Sequence, residues 1–193
     1  MTDDVTIRRY RQGDRNAVWT VHDRAFRASP VEFDPELNRY LRRIPEFFLD
    51  AGGEFLVATV PTGQGDSEVD PADGGANGNG PATGDETVVG CGGFLPSTAE
   101  RSSVRPGAPV VADEDTVEVR SVRVDPDHQG RGIDRDLVRD LEDRARDRGF
   151  DRVVLDTNVD LTAARGLYRS LGYEAAGREA IHGFELVYFE REL

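Results

Sequence analysis

Residues 117–138 read VEVRSVRVDPDHQGRGIDRDLV. At the start of the segment Val117 and Val119 alternate with Glu118 and Arg120, the pattern of a half-buried strand running from Thr116 to Val124. Asp125 and Pro126 turn the chain. After HQGRG, residues 133–150 place Ile133, Leu137, Leu141 and Ala145 at intervals of four, one apolar face of a helix. A strand therefore feeds a helix through a loop with two glycines. The first N–H groups of a helix have no carbonyl partner and lie at the positive end of its dipole. Gly130 and Gly132 let a ligand come close to the backbone. The loop is predicted to seat an anion, a phosphate or diphosphate. It is not a P-loop, and Arg135 stands where a GxGxxG fingerprint needs its last glycine. Asp134 sets a negative charge at the same place. An ordinary strand-to-helix turn with solvated arginines is the other reading of the loop taken alone.

Outward from this segment, residues 5–10 read as a first strand. A helix follows, with Ala17, Val18, Val21, Ala25 and Phe26 on one face. PELNRYLRRIPEFFLDAGG (35–53) reads as a second helical stretch, broken or kinked at Pro45 and ended by Gly52 and Gly53. EFLVATV (54–60) and VVGCGGFLPS (88–97) read as paired strands. Between them, residues 61–87 are rich in Gly, Pro and acid and poor in apolar side chains, the composition of a flexible insertion. FDRVVLDTN (150–158) is a fifth strand, LTAARGLYRSLGY (161–173) a short helix closed by Gly172, and residues 174–193 two final antiparallel strands. This order predicts one α/β domain over 1–193, with a mixed, mostly antiparallel sheet of six to seven strands and helices on both faces.

Composition excludes several functions. The net charge of -13 argues against a nucleic-acid binder. No apolar run is long enough to span a bilayer, and the first ten residues have no signal core, so the expectation is a cytoplasmic protein with no membrane partner. The single cysteine, Cys91, excludes an internal disulfide and a CxxC metal site; no metal is expected. All 24 basic residues are arginine, and with the acidic excess this resembles halophilic proteins.

The segment 117–138 also resembles the acyl-CoA-binding segment of the GCN5-related N-acetyltransferase (GNAT) superfamily, whose signature is Q/R-x-x-G-x-G/A after a strand ending in V-D-P. Gln129, Gly130, Arg131, Gly132, Ile133 and Asp134 fill it, Asp134 departing from the usual Gly or Ala. Ala164, Leu167, Tyr168, Gly172 and Tyr173 match the family's later A-x-x-L-Y-x-x-x-G-F/Y helix. The resemblance implies acetyl-CoA as co-substrate. It implies a diphosphate on the N–H groups of residues 129–134, with Arg131 and Arg135 flanking Asp134. It implies a pantetheine arm along Val122, Arg123 and Val124, and Tyr168 as the acid that protonates the leaving thiolate. Glu118 is the expected base for the amine, directly or through water, against an exposed glutamate paired with Arg120. Asn158 is a candidate cofactor contact, against a turn-forming Asn. Leu161 stands where the family often has Asn.

The implied activity is N-acetyltransfer to a primary amine, small molecule or peptide, by direct transfer in a ternary complex. The acceptor site is expected between the first two helices and the final strands, where Arg24, Arg27, Arg39, Arg42 and Arg43 could bind a carboxylate. A non-catalytic acyl-CoA-binding or sensing module is the alternative, and a homodimer is compatible with the family. His22, His128 and His182 are scattered, and Cys91 is expected to be a buried strand thiol.

Overall fold

The computed structural model describes residues 5–31, 35–36, 38–62, 86–181 and 183–193. Strands β1 (Thr6–Arg9), β2 (Glu54–Pro61), β3 (Glu86–Pro96), β4 (Thr116–Val124), β5 (Arg152–Asn158), β6 (Glu174–Ile181) and β7 (Phe184–Glu192) form one sheet in the order β1-β2-β3-β4-β5-β7-β6. Helix α1 (Arg15–Arg27) follows β1, α2 (Ile133–Asp147) links β4 to β5, and α3 (Thr162–Ser170) precedes β6. Among the described strands, β4 and β5 are the one parallel pair. Parallel neighbours need a long crossover, and α2 is that crossover.

The sheet is covered on both faces. Ile133, Leu137, Leu141 and Ala145 of α2 pack with Leu56, Phe94, Val119 and Phe189 in one cluster. Val18 and Val21 of α1 pack with Leu41, Phe48, Phe55 and Leu95 in another. Two-sided cover explains why β2 is buried at every position but the last, Glu54 and Thr59 included.

The second helical stretch breaks at Pro45 as expected, but its two parts are short turns and not α-helix. One 3-10 turn spans Arg39–Arg42, and one π-helical turn spans Pro45–Leu49. Pro45 has no N–H to donate, and its ring collides with the carbonyl four residues back, so no helix runs through it. Leu41, Ile44 and Phe48 are nonetheless fully buried. The insertion is shorter than 61–87: Pro61 lies in β2, Glu86 and Thr87 lie in β3, and Pro61 pairs with Glu86. Residues 63–85 and His182 lie outside the described residues.

Buried carboxylates fasten the helices to the sheet. Glu142 of α2 accepts from the Tyr173 hydroxyl at 2.7 Å and from Arg191 of β7 at 2.8 Å. Glu54 pairs with Arg9 at 3.0 Å and with Arg148, just past α2. Removing one partner of such a pair leaves an uncompensated charge, at a cost of about 3–5 kcal/mol.

Gly93 of β3 has no room for a side chain: a Cβ there would lie 2.6 Å from the Phe55 ring and 2.7 Å from the Glu54 carbonyl oxygen. Gly93→Ala is expected to destabilise the fold by about 2–3 kcal/mol, read from urea denaturation.

Candidate active site

The β4–β5 ladder is short. Thr116, Val117 and Glu118 pair with Arg152, Val153 and Val154, and beyond them the strands separate. On its other side β4 carries a bulge: Arg120 pairs with Gly93 and Arg123 with Cys91, so Ser121 and Val122 together oppose Gly92. Ser121 has φ 59, in the left-handed region that non-glycine residues rarely adopt. Two contacts hold it there. Its hydroxyl lies 2.8 Å from the Tyr40 hydroxyl, and its carbonyl accepts from the buried Cys91 thiol at 3.7 Å.

Backbone groups that lose a strand partner need another one. The Val122 carbonyl accepts from the guanidinium of Arg123 at 2.7 Å, and the Val124 carbonyl accepts from the side-chain amide of Gln129 at 3.1 Å. Side chains therefore occupy acceptors that a ligand lying along this strand would meet. Arg123 also stacks on Phe26, 4.6 Å from the ring centre.

The loop after β4 has the geometry that its glycines predict. Gly130 and Gly132 have φ of 75° and 82°, and Gly132 caps the N-terminus of α2. Ile133 gives its side chain to the core, so only its backbone is available to a ligand. Arg131 is exposed on the loop, and Arg135 reaches across to donate to the Ser170 hydroxyl at 2.9 Å. Asp134 turns its carboxylate back to accept from the Arg135 N–H at 2.9 Å. It therefore uses one of the donors of the first helical turn.

Two cavities meet at the parted strand. One of about 480 Å³ runs from Gln129, Gly130 and Asp134 to Tyr168. The other, of about 240 Å³, is lined by Tyr40, Arg120, Asp156, Asn158 and Phe184. Val122, Arg123 and Tyr168 line both. The Tyr168 ring packs edge-on against Tyr173, at 5.7 Å between centres. Burial pushes its phenol up to about 12, so it holds its proton at neutral pH.

Glu118 is not the exposed strand residue that alternation suggests. It is 1% exposed, because β4 is covered on both faces. Its carboxylate accepts from the Ser102 hydroxyl at 2.7 Å, the Ser103 N–H at 2.8 Å and the Ser103 hydroxyl, and lies 3.6 Å from Arg120. It does not line either cavity. Asp156 of β5, which the sequence marked only as part of a strand, does. Burial, and then the neighbouring Glu118 charge, hold the Asp156 carboxyl above its ordinary value, against Arg120. Arg120 remains charged: burial opposes its charge, but Tyr40, Glu118 and Asp156 together outweigh burial.

Asn158 lines the smaller cavity, but its side-chain oxygen accepts from the Asp160 N–H at 2.8 Å, so that oxygen serves the turn. The five arginines proposed for a substrate carboxylate do not line the cavities. Arg24 pairs with Asp125 and Asp127, Arg27 with Asp23, Arg39 with Glu36 and Arg43 with Glu46, and Arg42 lies over Trp19. Arg120 and Arg123 are the guanidiniums at the site. Of the histidines, His22 is fully buried and its imidazole is pushed down to about 3 by burial; His128 lies 3.8 Å from Asp125.

Residues 22–173 match the sequence profile of the Acetyltransferase (GNAT) family. The chain belongs to this family. Streptothricin acetyltransferase from Streptomyces lavendulae is 31% identical over 142 residues, which cover 69% of this chain and 71% of that protein. Human N-acetyltransferase 8B is 37% identical over 101 residues, 52% of this chain but only 40% of the human protein's length. The structure of yncA from Salmonella typhimurium with its cofactor acetyl-CoA superposes with a TM-score of 0.62 at 20% identity, covering 98% of this chain and 94% of that one. At that identity the likeness is one of fold: the seven-stranded sheet with its flanking helices is the GNAT acyltransferase architecture. Among the described residues no helix is long and apolar enough to cross a membrane, and no group of three or more His, Cys, Asp or Glu could hold a metal ion.

Burial pushes the Cys91 thiol up to about 12. In this GNAT protein a thiol reagent at pH 8 is expected to find no reactive cysteine in the native state and one after unfolding; rapid native labelling would contradict the enclosure of the bulge.

Proposed function

We propose that the chain transfers an acetyl group from acetyl-CoA to a primary amine, directly, in a ternary complex. The observation that carries this reading is the parting of β4 from β5, which lets the glycine loop, Tyr168 and Asp156 border two cavities that meet at Val122 and Arg123. In this reading the diphosphate takes N–H groups of residues 129–134, with Arg131 and Arg135 close by. The pantetheine arm lies along Val122 to Val124 and displaces the Arg123 and Gln129 side chains from their carbonyls. The thioester reaches Tyr168, and the amine enters from the side of Tyr40 and Phe184.

Asp156 takes the role first expected of Glu118. An alkyl ammonium must lose a proton before it can attack a thioester. A carboxyl held above its ordinary value is a better base than a free aspartate, so the rate is expected to rise with pH through a midpoint above the usual carboxylate range. Tyr168 faces the sulfur. A phenol near 12 is a weak acid, so it hydrogen-bonds the departing thiolate as charge develops and gives up its proton late. Tyr168→Phe is expected to lower kcat about 100-fold while leaving acetyl-CoA binding unchanged; an equal loss of binding would make the residue structural.

Asp134 weakens the seat without closing it. Two unit charges about 6 Å apart repel by roughly 0.7 kcal/mol in water, and by several times more in a partly desolvated site. Calorimetry of acetyl-CoA binding, at low salt and in molar potassium chloride, tests this. Asp134→Gly is expected to bind about tenfold more tightly than wild type at low salt, with the gap narrowing as salt screens the charge. Binding only after the substitution would mean that Asp134 closes the seat. No binding by either protein would overturn the acetyl-CoA reading. Binding with no turnover across an amine panel would favour the non-catalytic acyl-CoA module. A cytoplasmic, salt-rich setting suits the acidic, lysine-free surface.

A further inference from the structure

The connection between β3 and β4 lays Ser102 and Ser103 against two neighbouring carboxyls. The Ser102 hydroxyl and the Ser103 N–H both donate to Oε2 of Glu118, at 2.7 and 2.8 Å. The Ser103 hydroxyl is in close contact with Oε1 of Glu118 and also lies 3.3 Å from Oδ1 of Asp156. A serine hydroxyl has one proton and two lone pairs. It cannot donate to both carboxyls at once. The nearer oxygen belongs to Glu118, whose other oxygen already holds two donors and whose side chain neighbours Arg120. The Ser103 proton therefore points to Glu118. What Ser103 then offers Asp156 is a lone pair.

We propose that Ser103 is a positioning residue that makes Asp156, and not Glu118, the proton acceptor of the pair: its proton is committed to Glu118, and its oxygen accepts the O–H that Asp156 acquires. This rests on the acetyl-transfer reading of the site. In the step, an N–H bond of the acceptor ammonium breaks and an O–H bond forms on Asp156. The nitrogen keeps the electron pair with which it attacks the thioester, and the new O–H donates to Ser103, which donates to Glu118. No other reactant is needed. A chain of two hydrogen bonds ending on a fixed carboxylate stabilises the protonated form of Asp156. The groups acting on Asp156 are Glu118, Arg120 and Arg123 from β4, Tyr188 from β7, Tyr168 from α3 and the Ser103 hydroxyl, which would lower the midpoint if it gave its proton to ionised Asp156 instead of to Glu118. The two tyrosines stay neutral because burial pushes both phenols up, so Glu118 and the two guanidiniums are the charges that act on it.

Carbon-13 NMR of the side-chain carboxyls, in the protein without acetyl-CoA or amine, tests the chain. In the wild type, Asp156 is expected to titrate above the ordinary aspartate range; a midpoint within or below that range would overturn the proposal. In Ser103→Ala the Asp156 proton loses its acceptor, and the midpoint is expected to fall by about one pH unit. If Ser103 instead donated to ionised Asp156, the same change would raise the midpoint, and a rise or no change overturns the proposal. Ser103→Thr keeps the hydroxyl and should restore the wild-type value. Should Ser103→Ala fold poorly, Ser103→Gly removes the same group, and the wild-type Asp156 midpoint stands as a test without any variant. In the active protein, Ser103→Ala is expected to lower kcat about tenfold with KM for acetyl-CoA unchanged; a purely structural serine would lower stability and leave the Asp156 midpoint in place. The titration uses no substrate, so failure of this hydrogen-bond chain and failure of acetyl transfer read out separately.

Discussion

The structure turns on a parallel strand pair that is allowed to pair for only three residues. β4 and β5 are hydrogen-bonded neighbours from Thr116 to Glu118 and then part. The rest of β4 must satisfy its backbone without β5. The bulge at Ser121 and Val122 re-aims the strand, and the side chains of Arg123 and Gln129 take up two of its carbonyls. Tyr40 and Cys91 hold Ser121 in a backbone conformation that costs about 1–3 kcal/mol at a non-glycine residue. That strain persists because well-packed neighbours on both faces of the sheet fix it. The parting also creates the space that the two cavities occupy, so fold and site have one cause.

The almost fully buried glutamates follow one rule, and the half-buried Asp156 departs from it. Glu54, Glu142 and Glu118 are each almost fully buried, and each has an arginine nearby with further donors around it. In a chain whose only strong cation is arginine, the planar guanidinium supplies both the charge and several fixed donors. Asp156 is the exception. It lies beside Glu118 without a close guanidinium partner of its own, and its carboxyl is held above the ordinary value. Structural carboxylates here are neutralised by pairing; the carboxyl on the cavity is the one that the proposed reaction uses to bind a proton.

Much of this was legible in the residues. The interval of four from Ile133 to Ala145 gave α2 and its buried face, because a single stripe packs on a single sheet. The glycines at 130 and 132 marked a turn that needs positive φ. The element order gave the mixed sheet. Other features were not legible. Strand alternation misjudged Glu118, because alternation assumes one wet face and β4 has none. The break at Pro45 was legible, but not that the stretch over 35–53 would form only a 3-10 turn and a π turn, although its apolar residues still reached the core. Asp156 had no marking of its own: an Asp among apolar strand residues signals something enclosed, and nothing in its neighbours says which cavity it faces. Ser103 sits in a connection whose path has no periodicity to read.

The sequence by itself determined the elements, the glycine turn at the start of α2 and the family, because these depend on local periodicity, on glycine's freedom at positive φ and on motifs contiguous in the chain. Only the tertiary structure decided which carboxyl meets the cavity, which arginines face it and where the Asp134 carboxylate points. Those outcomes depend on where β4 leaves β5 and on which loops close over the gap. Residues 102–103, 118, 120 and 156 are brought together by a crossover and a long connection, and no local pattern encodes a meeting of that kind.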